Sequence, residues 1–319
     1  MQDQESSMRP RRRPTGRVLA GILLGLAATI GAAGVLNAVG PDRGAQVQLQ
    51  TTPEDFFQPG TQPQPDNPQF DAMLTSQSCI SCHGEYLGPE SDEEPWDAWV
   101  TSLMAQSARD PVWQAAVTIA NQDASGSGEY CIRCHAPNAW LSGRSTTGDL
   151  DELLPQDLDG ISCNFCHRVV DPDFKPGISP DEDEAILAAL EYPPDPSEFG
   201  NARYVVDPSD SRRGPFDDVP MNFHSPVPII FSPHHRTSEA CASCHDVSNP
   251  VFTRNPKTGE LELNDMDAPH PTQDPNDMHA EQRTYSEWAK SQFADGGVDL
   301  KYRFGGNHPT GIMEECQDC

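Results

Sequence analysis

Residues 131–135 read Cys-Ile-Arg-Cys-His, a frame on which the reading of the whole chain turns. It recurs at 79–83, 163–167 and 241–245, each time with two thiols three positions apart and an imidazole directly after the second. A fifth copy, Cys316-Gln317-Asp318-Cys319, runs to the last residue given, where a histidine is expected to follow. All 10 cysteines of the 319-residue sequence fall in these pairs: Cys79, Cys82, Cys131, Cys134, Cys163, Cys166, Cys241, Cys244, Cys316 and Cys319. Only 10 residues are histidine, so four pairs followed at once by His83, His135, His167 and His245 do not arise from composition.

C-x-x-C-H is the frame of covalent c-type haem attachment. Two thiols add across the haem vinyl groups, and the adjacent imidazole is placed beneath the ring to bind iron. Zinc ribbons pair their C-x-x-C units about 15–20 residues apart. Here the gaps are 48, 28, 74 and 71 residues, and zinc would leave the histidines unexplained. A secreted disulfide framework gives no reason for every cysteine to share one motif. The expectation is haem c at four complete sites and a truncated fifth, with His83, His135, His167 and His245 as proximal iron ligands.

The ligand on the far side of each iron decides whether the centre only passes electrons or also meets a substrate. Outside the motifs stand His224, His234, His235, His270, His279 and His308, nearly as many as five irons require. Each is a candidate distal ligand, and for each the alternative is a surface or hydrogen-bonded histidine. His234 and His235 lie too near Cys241 to cross easily to that haem's far face, so a neighbouring haem is expected to use them. No residue reads as catalytic.

Only 36% of the chain is hydrophobic and 31 residues are proline, a thin supply for an ordinary core. Porphyrins are expected to fill part of the interior. Acidic residues outnumber basic ones 49 to 21, for a formal charge of -28. That excludes nucleic acid, whose binding depends on Lys and Arg releasing counterions, and adsorption to anionic lipid. The basic residues are unevenly placed: Arg9, Arg11, Arg12, Arg13 and Arg17 precede an uncharged run from Val18. The order reads as a basic cytoplasmic head over 1–17 and a signal-anchor or cleaved signal peptide over 18–40. Either carries the remainder out of the cytoplasm, to a periplasmic or extracytoplasmic side, with the anchor holding it to the inner membrane. Residues 41–70 are rich in Pro and Gln and read as an extended tether. Residues 71–319 read as the haem domain.

That domain is expected to be mainly α with much irregular loop, its core built around stacked covalent haems. Trp96, Trp99, Val100 and Leu103 follow helical spacing. Asp110-Pro111 then opens a second helix as N-cap and first residue, with Val112, Ala115, Ala116 and Ile119 as its buried face. Further helices are expected over 181–192 and 286–293, and no strand alternation stands out. The acidic stretches at 90–94, 181–184 and 217–218 read as solvated faces.

The stretches WDAWVTSLMAQSARDP (96–111), YCIRCHAPNAWLSGRS (130–145), DGISCNFCHRVVDP (159–172) and SEACASCHDVSNP (238–250) resemble the exported multihaem cytochromes related to hydroxylamine oxidoreductase. The resemblance spans about residues 71–319. It implies close haem pairs, mostly bis-histidine ligation and electron transfer outside the cytoplasm, with some members acting on small nitrogen or sulfur compounds. It also places Met104 where relatives often carry a haem-binding histidine; methionine is itself a competent axial ligand, and the alternative is a thioether packed in the core. The favoured expectation is an electron carrier between a membrane donor and a soluble or surface acceptor. The other is an oxidoreductase acting at one open haem.

Overall fold

A computed structural model describes residues 48–84, 86–87, 94–195, 197–219, 224, 226–303 and 309–318. The head (1–17) and apolar segment (18–40) lie outside the described residues, as do His308 and Cys319. Among the described residues no helix is long and apolar enough to cross a membrane.

The helices are short. In chain order they are α1 (Ile80–His83), α2 (Pro95–Val100), α3 (Leu103–Gln106), α4 (Pro111–Asp123), α5 (Gly128–His135), α6 (Pro137–Leu141), α7 (Cys163–Cys166), α8 (Asp181–Ala188), α9 (Glu239–His245) and α10 (Thr284–Ala289). Local chemistry sets their ends. Asp110 accepts the Val112 N–H at 2.9 Å, and Pro111 opens α4 where no backbone donor is needed. Ser102 caps α3, and Ser162 caps α7.

Several expectations need correction here. The stripe from Trp96 to Leu103 is not one helix: the chain leaves helical geometry at Ser102, whose side chain starts α3 afresh and leaves Leu103 88% exposed. In α4 the buried residues are Trp113 and Val117, while Val112 is 74% exposed. The large indole has more apolar surface to remove from water than Val112, and it turns the helix so that the Trp113 face meets the core. Asp183 and Glu94 are fully buried, not solvated.

Strands are present although none was expected. They are β1 (Val169–Val170), β2 (Val205–Val206), β3 (Arg212–Gly214), β4 (Ile229–Phe231), β5 (Val247–Arg254), β6 (Leu261–Leu263), β7 (Met278–Gln282), β8 (Val298–Asp299) and β9 (Ile312–Met313). The three-stranded sheet runs β6-β5-β7, antiparallel throughout. Its central strand holds Pro250, which cannot donate to a ladder, and the β5–β7 register breaks between Asn249 and Thr253. That irregularity erased the alternation a strand usually shows.

The described part of the tether, residues 48–70, is instead a strap packed on the body. Leu49 forms a parallel bridge with Ala124, Thr61 N–H donates to Tyr204 O at 3.0 Å, and Gln64 N–H donates to Leu141 O at 2.7 Å. At Gly60 the strap runs so close that a Cβ would lie 2.6 Å from Tyr204 O, and its φ of 98° also requires glycine. The chain therefore satisfies its backbone on the domain, and needs no apolar period of its own to do so.

The core runs between the motif helices. Ile132 of the second motif and Phe165 of the third are buried with Trp113, Val117, Trp140, Leu141 and Tyr204. Ile132 and Phe165 thus anchor their motif helices in the core, against which Cys131, Cys134 and Cys244 also pack.

Candidate functional site

Residues three and four apart share a helix face. Because α1, α5, α7 and α9 each carry or abut one complete motif, both thiols and the imidazole of that motif present to one side. Two of the imidazoles are held by main-chain carbonyls. His167 Nδ1 lies 2.6 Å from Arg213 O, and His135 Nδ1 lies 3.3 Å from Ser107 O. A proton on Nδ1 leaves the Nε2 lone pair free, the arrangement that orients metal-bound histidine. The His135 ring also stacks on Trp113, 4.9 Å between centroids and 11° from parallel. Burial lowers the proton affinity of His83, His135, His167 and His245, which favours the neutral, ligating form. His167 has accessible surface, but that surface lines a cleft and the ring is otherwise surrounded by protein.

The nine described cysteines are free thiols. Several lie near one another across motifs: Cys79 beside Cys163, Cys134 beside Cys244, and Cys241 beside Cys316. The Cys79 contact lowers the Cys163 thiol and raises its own, while burial pushes Cys131 up to about 11. Among the described residues no group of three or more His, Cys, Asp or Glu side chains gathers around a common point as a metal site. The geometry therefore supplies attachment points and single imidazoles, not four-thiolate cages.

The first and third motifs open onto one cleft of about 390 Å³, lined by Cys79, His83, Cys163, His167 and His224. Pro95, Trp96, Pro215, Phe216, Val219 and Ile229 make its walls apolar. That volume lies within the ~300–1,000 Å³ of small-molecule pockets, and the apolar walls suit a planar apolar group. His224 faces His83 with ring centroids 5.9 Å apart, and His235 lies parallel to His167 at 6.4 Å. Two metal–nitrogen bonds of about 2 Å each, plus the two ring radii, come to a similar separation. Nδ1 of His224 and Nδ1 of His235 are buried with no hydrogen-bond partner. A lone pair left unpaired inside a protein is costly, and a metal relieves it. His235 Nε2 sits 3.0 Å from Cys166 O, and burial pushes this imidazole down to about 4. On these observations the residues fit haem.

The remaining candidates divide. His234 is buried, its Nδ1 3.6 Å from Asp171 Oδ1. His270 is 3% exposed, and both nitrogens are engaged: Nδ1 accepts the Gln273 N–H at 3.1 Å, and Nε2 meets Thr253 Oγ1 at 2.9 Å. That geometry matches the hydrogen-bonded alternative given for it. His279 lies on the exposed edge strand β7 beside Phe252. Met104 is 49% exposed, and its carbonyl accepts the Ile161 N–H at 3.1 Å.

Three buried arginines escaped the sequence reading. Arg133, inside the second motif, donates to Ala202 O, Gln58 O and Pro59 O and lies 4.1 Å over the Trp140 ring. Arg168, directly after His167, donates to Asp71 O, Asp207 O and Pro208 O. Arg213 pairs with Asp183 and Asp207. The available signal was their position: two of them stand within or against a motif.

A family model described as cytochrome c554 and c-prime matches residues 78–168, less than a third of the chain. The match supports a c-type cytochrome with haem c as cofactor. No curated protein and no solved structure matches.

Proposed function

We propose that this chain is an exported electron carrier, a multihaem c-type cytochrome with haems on its four complete motifs and a fifth on Cys316 and Cys319. The observation that carries the reading is the meeting of thiols across motifs. The nearness of Cys79 to Cys163, Cys134 to Cys244 and Cys241 to Cys316 supports attachment points set side by side. The Cys166 thiol is in turn raised by burial and then by Cys244. The contacts support an order of first, third, fourth and second motif, with the fifth reached from the fourth. Haem supplies a one-electron redox centre at each position. The protein's part is to hold proximal imidazoles neutral by burial, to align those of His167 and His135 through the Arg213 and Ser107 carbonyls, and to keep water from the cleft with apolar walls.

His224 is the distal ligand proposed for the iron at His83. His235, held on Cys166 through Nε2, serves a neighbouring iron through Nδ1. Residues 18–40 carry the body across the membrane and, where uncleaved, hold it there near its electron donor. The acidic surface suits docking to basic redox partners. The second reading, an oxidoreductase at one open iron, draws on His135, whose ring contact among the described residues is with Trp113 and not a second imidazole.

The test is protein matured in a host with haem-ligation machinery. A denaturing gel stained for haem, with mass determination, should give four covalent haems, and five when a histidine follows Cys319. A chain carrying zinc and no covalent haem overturns the proposal.

A further inference from the structure

The cleft shared by the first and third motifs contains two arginines in succession, Arg212 and Arg213, both on β3. Arg213 is fully committed: Nε and Nη2 donate to Asp183 Oδ1, and Nη1 to Asp207 Oδ2. Arg212 is not. Its Nη2 donates to Asp210 Oδ2 at 2.8 Å, while its Nε is buried with no partner. Asp210 is itself held, with Oδ1 accepting from Asn164 Nδ2 at 2.7 Å. Burial is the main cause of the low proton affinity of His83 and His167, and the Arg212 charge adds to it in both, so Arg212 acts on both proximal imidazoles.

A guanidinium with a free buried donor, set in an apolar cleft, calls for a carboxylate that enters with the ligand. The ring that would lie against Trp96 and Ile229 carries two such groups, its propionates. We propose that Arg212 binds a propionate of a haem held in this cleft and, through its charge, sets the reduction potential of that haem. The proposal rests on the haem reading above. A cation beside the ring favours the state holding one more electron, so Arg212 raises the potential and Asp210 lowers it.

The test uses the full chain matured with haem, checked first by haem stain, then titrated spectroelectrochemically. R212Q should shift one haem's redox equilibrium toward the oxidised form by about tenfold, or about 59 mV for one electron. R212K should shift it less, and D210N should shift the same haem in the opposite direction. Unchanged potentials in R212Q with a full haem complement overturn the Arg212 assignment, whereas absence of covalent haem overturns the haem reading instead. If R212Q does not fold, the upward shift of D210N decides, and no shift there overturns the proposal. Added acetate or nitrite should leave the wild-type potentials unmoved. A shift that depends on those anions and vanishes in R212Q assigns the donor to a free anion and overturns the propionate assignment.

Discussion

His270 and His224 differ at a single nitrogen, and that difference decides which of them the proposed haem reading can use as a ligand. Both are candidate ligands by composition, yet His270 spends both nitrogens on hydrogen bonds while His224 keeps a buried Nδ1 unpaired. H270N, which retains an acceptor for the Gln273 N–H, should leave the haem absorption spectrum unchanged. The same residue predicts a pH dependence. Burial lowers its proton affinity in the folded state, with Asp277 and Asp274 opposing and Arg203 adding. A lowered folded value means that its stability is present above the unfolded histidine value of about 6.5, and is lost as pH falls below it. Wild type should therefore lose more melting temperature than H270N between pH 7 and pH 5. H224A should open one iron, so that carbon monoxide alters the reduced spectrum of the variant more than that of wild type. Identical carbon monoxide spectra would remove His224 from the ligand set.

At the scale of elements, the strap over residues 48–71 depends on arginines that belong to the motifs. Arg133 is buried and serves Gln58 and Pro59 carbonyls, so R133M leaves those acceptors unsatisfied inside the protein. Each costs about 1–3 kcal/mol, and the variant should lose roughly 3 kcal/mol of stability, measured by denaturant unfolding. Limited proteolysis should then cut the variant within 48–61 before wild type. The motif turns and the α4 cap at Asp110 were legible in the sequence, because cysteine spacing and an Asp-Pro pair act locally. The strap and β5 were not. The strap is ordered by partners more than 70 residues away, as Arg133 to Gln58 shows, and β5 is paired in spite of Pro250. Which of the histidines outside the motifs spends both nitrogens on hydrogen bonds was not legible either, being a matter of tertiary neighbours.

For the whole molecule, the proposed haem order makes the fourth motif a junction. Its Cys244 meets Cys134 and its Cys241 meets Cys316. Replacing both Cys241 and Cys244 by Ser should remove one haem and also slow electron passage from the first motif to the second, read by stopped-flow reduction. Replacing Cys131 and Cys134 should remove one haem and leave passage from first to fifth intact. Equal slowing in both variants would contradict the junction. The clasp of the strap also has a consequence in time. Its residues are made before the arginines that hold them, Arg133 by 75 positions and Arg168 by as many as 97. Contacts that close such long loops form late. The leading end of the described body therefore waits unlatched while the later motifs arrive. On the haem reading proposed above, attachment at Cys131 and Cys134 comes first and closure of the strap on Arg133 second, because the latch stands inside the motif and its strap partners stand ahead of it.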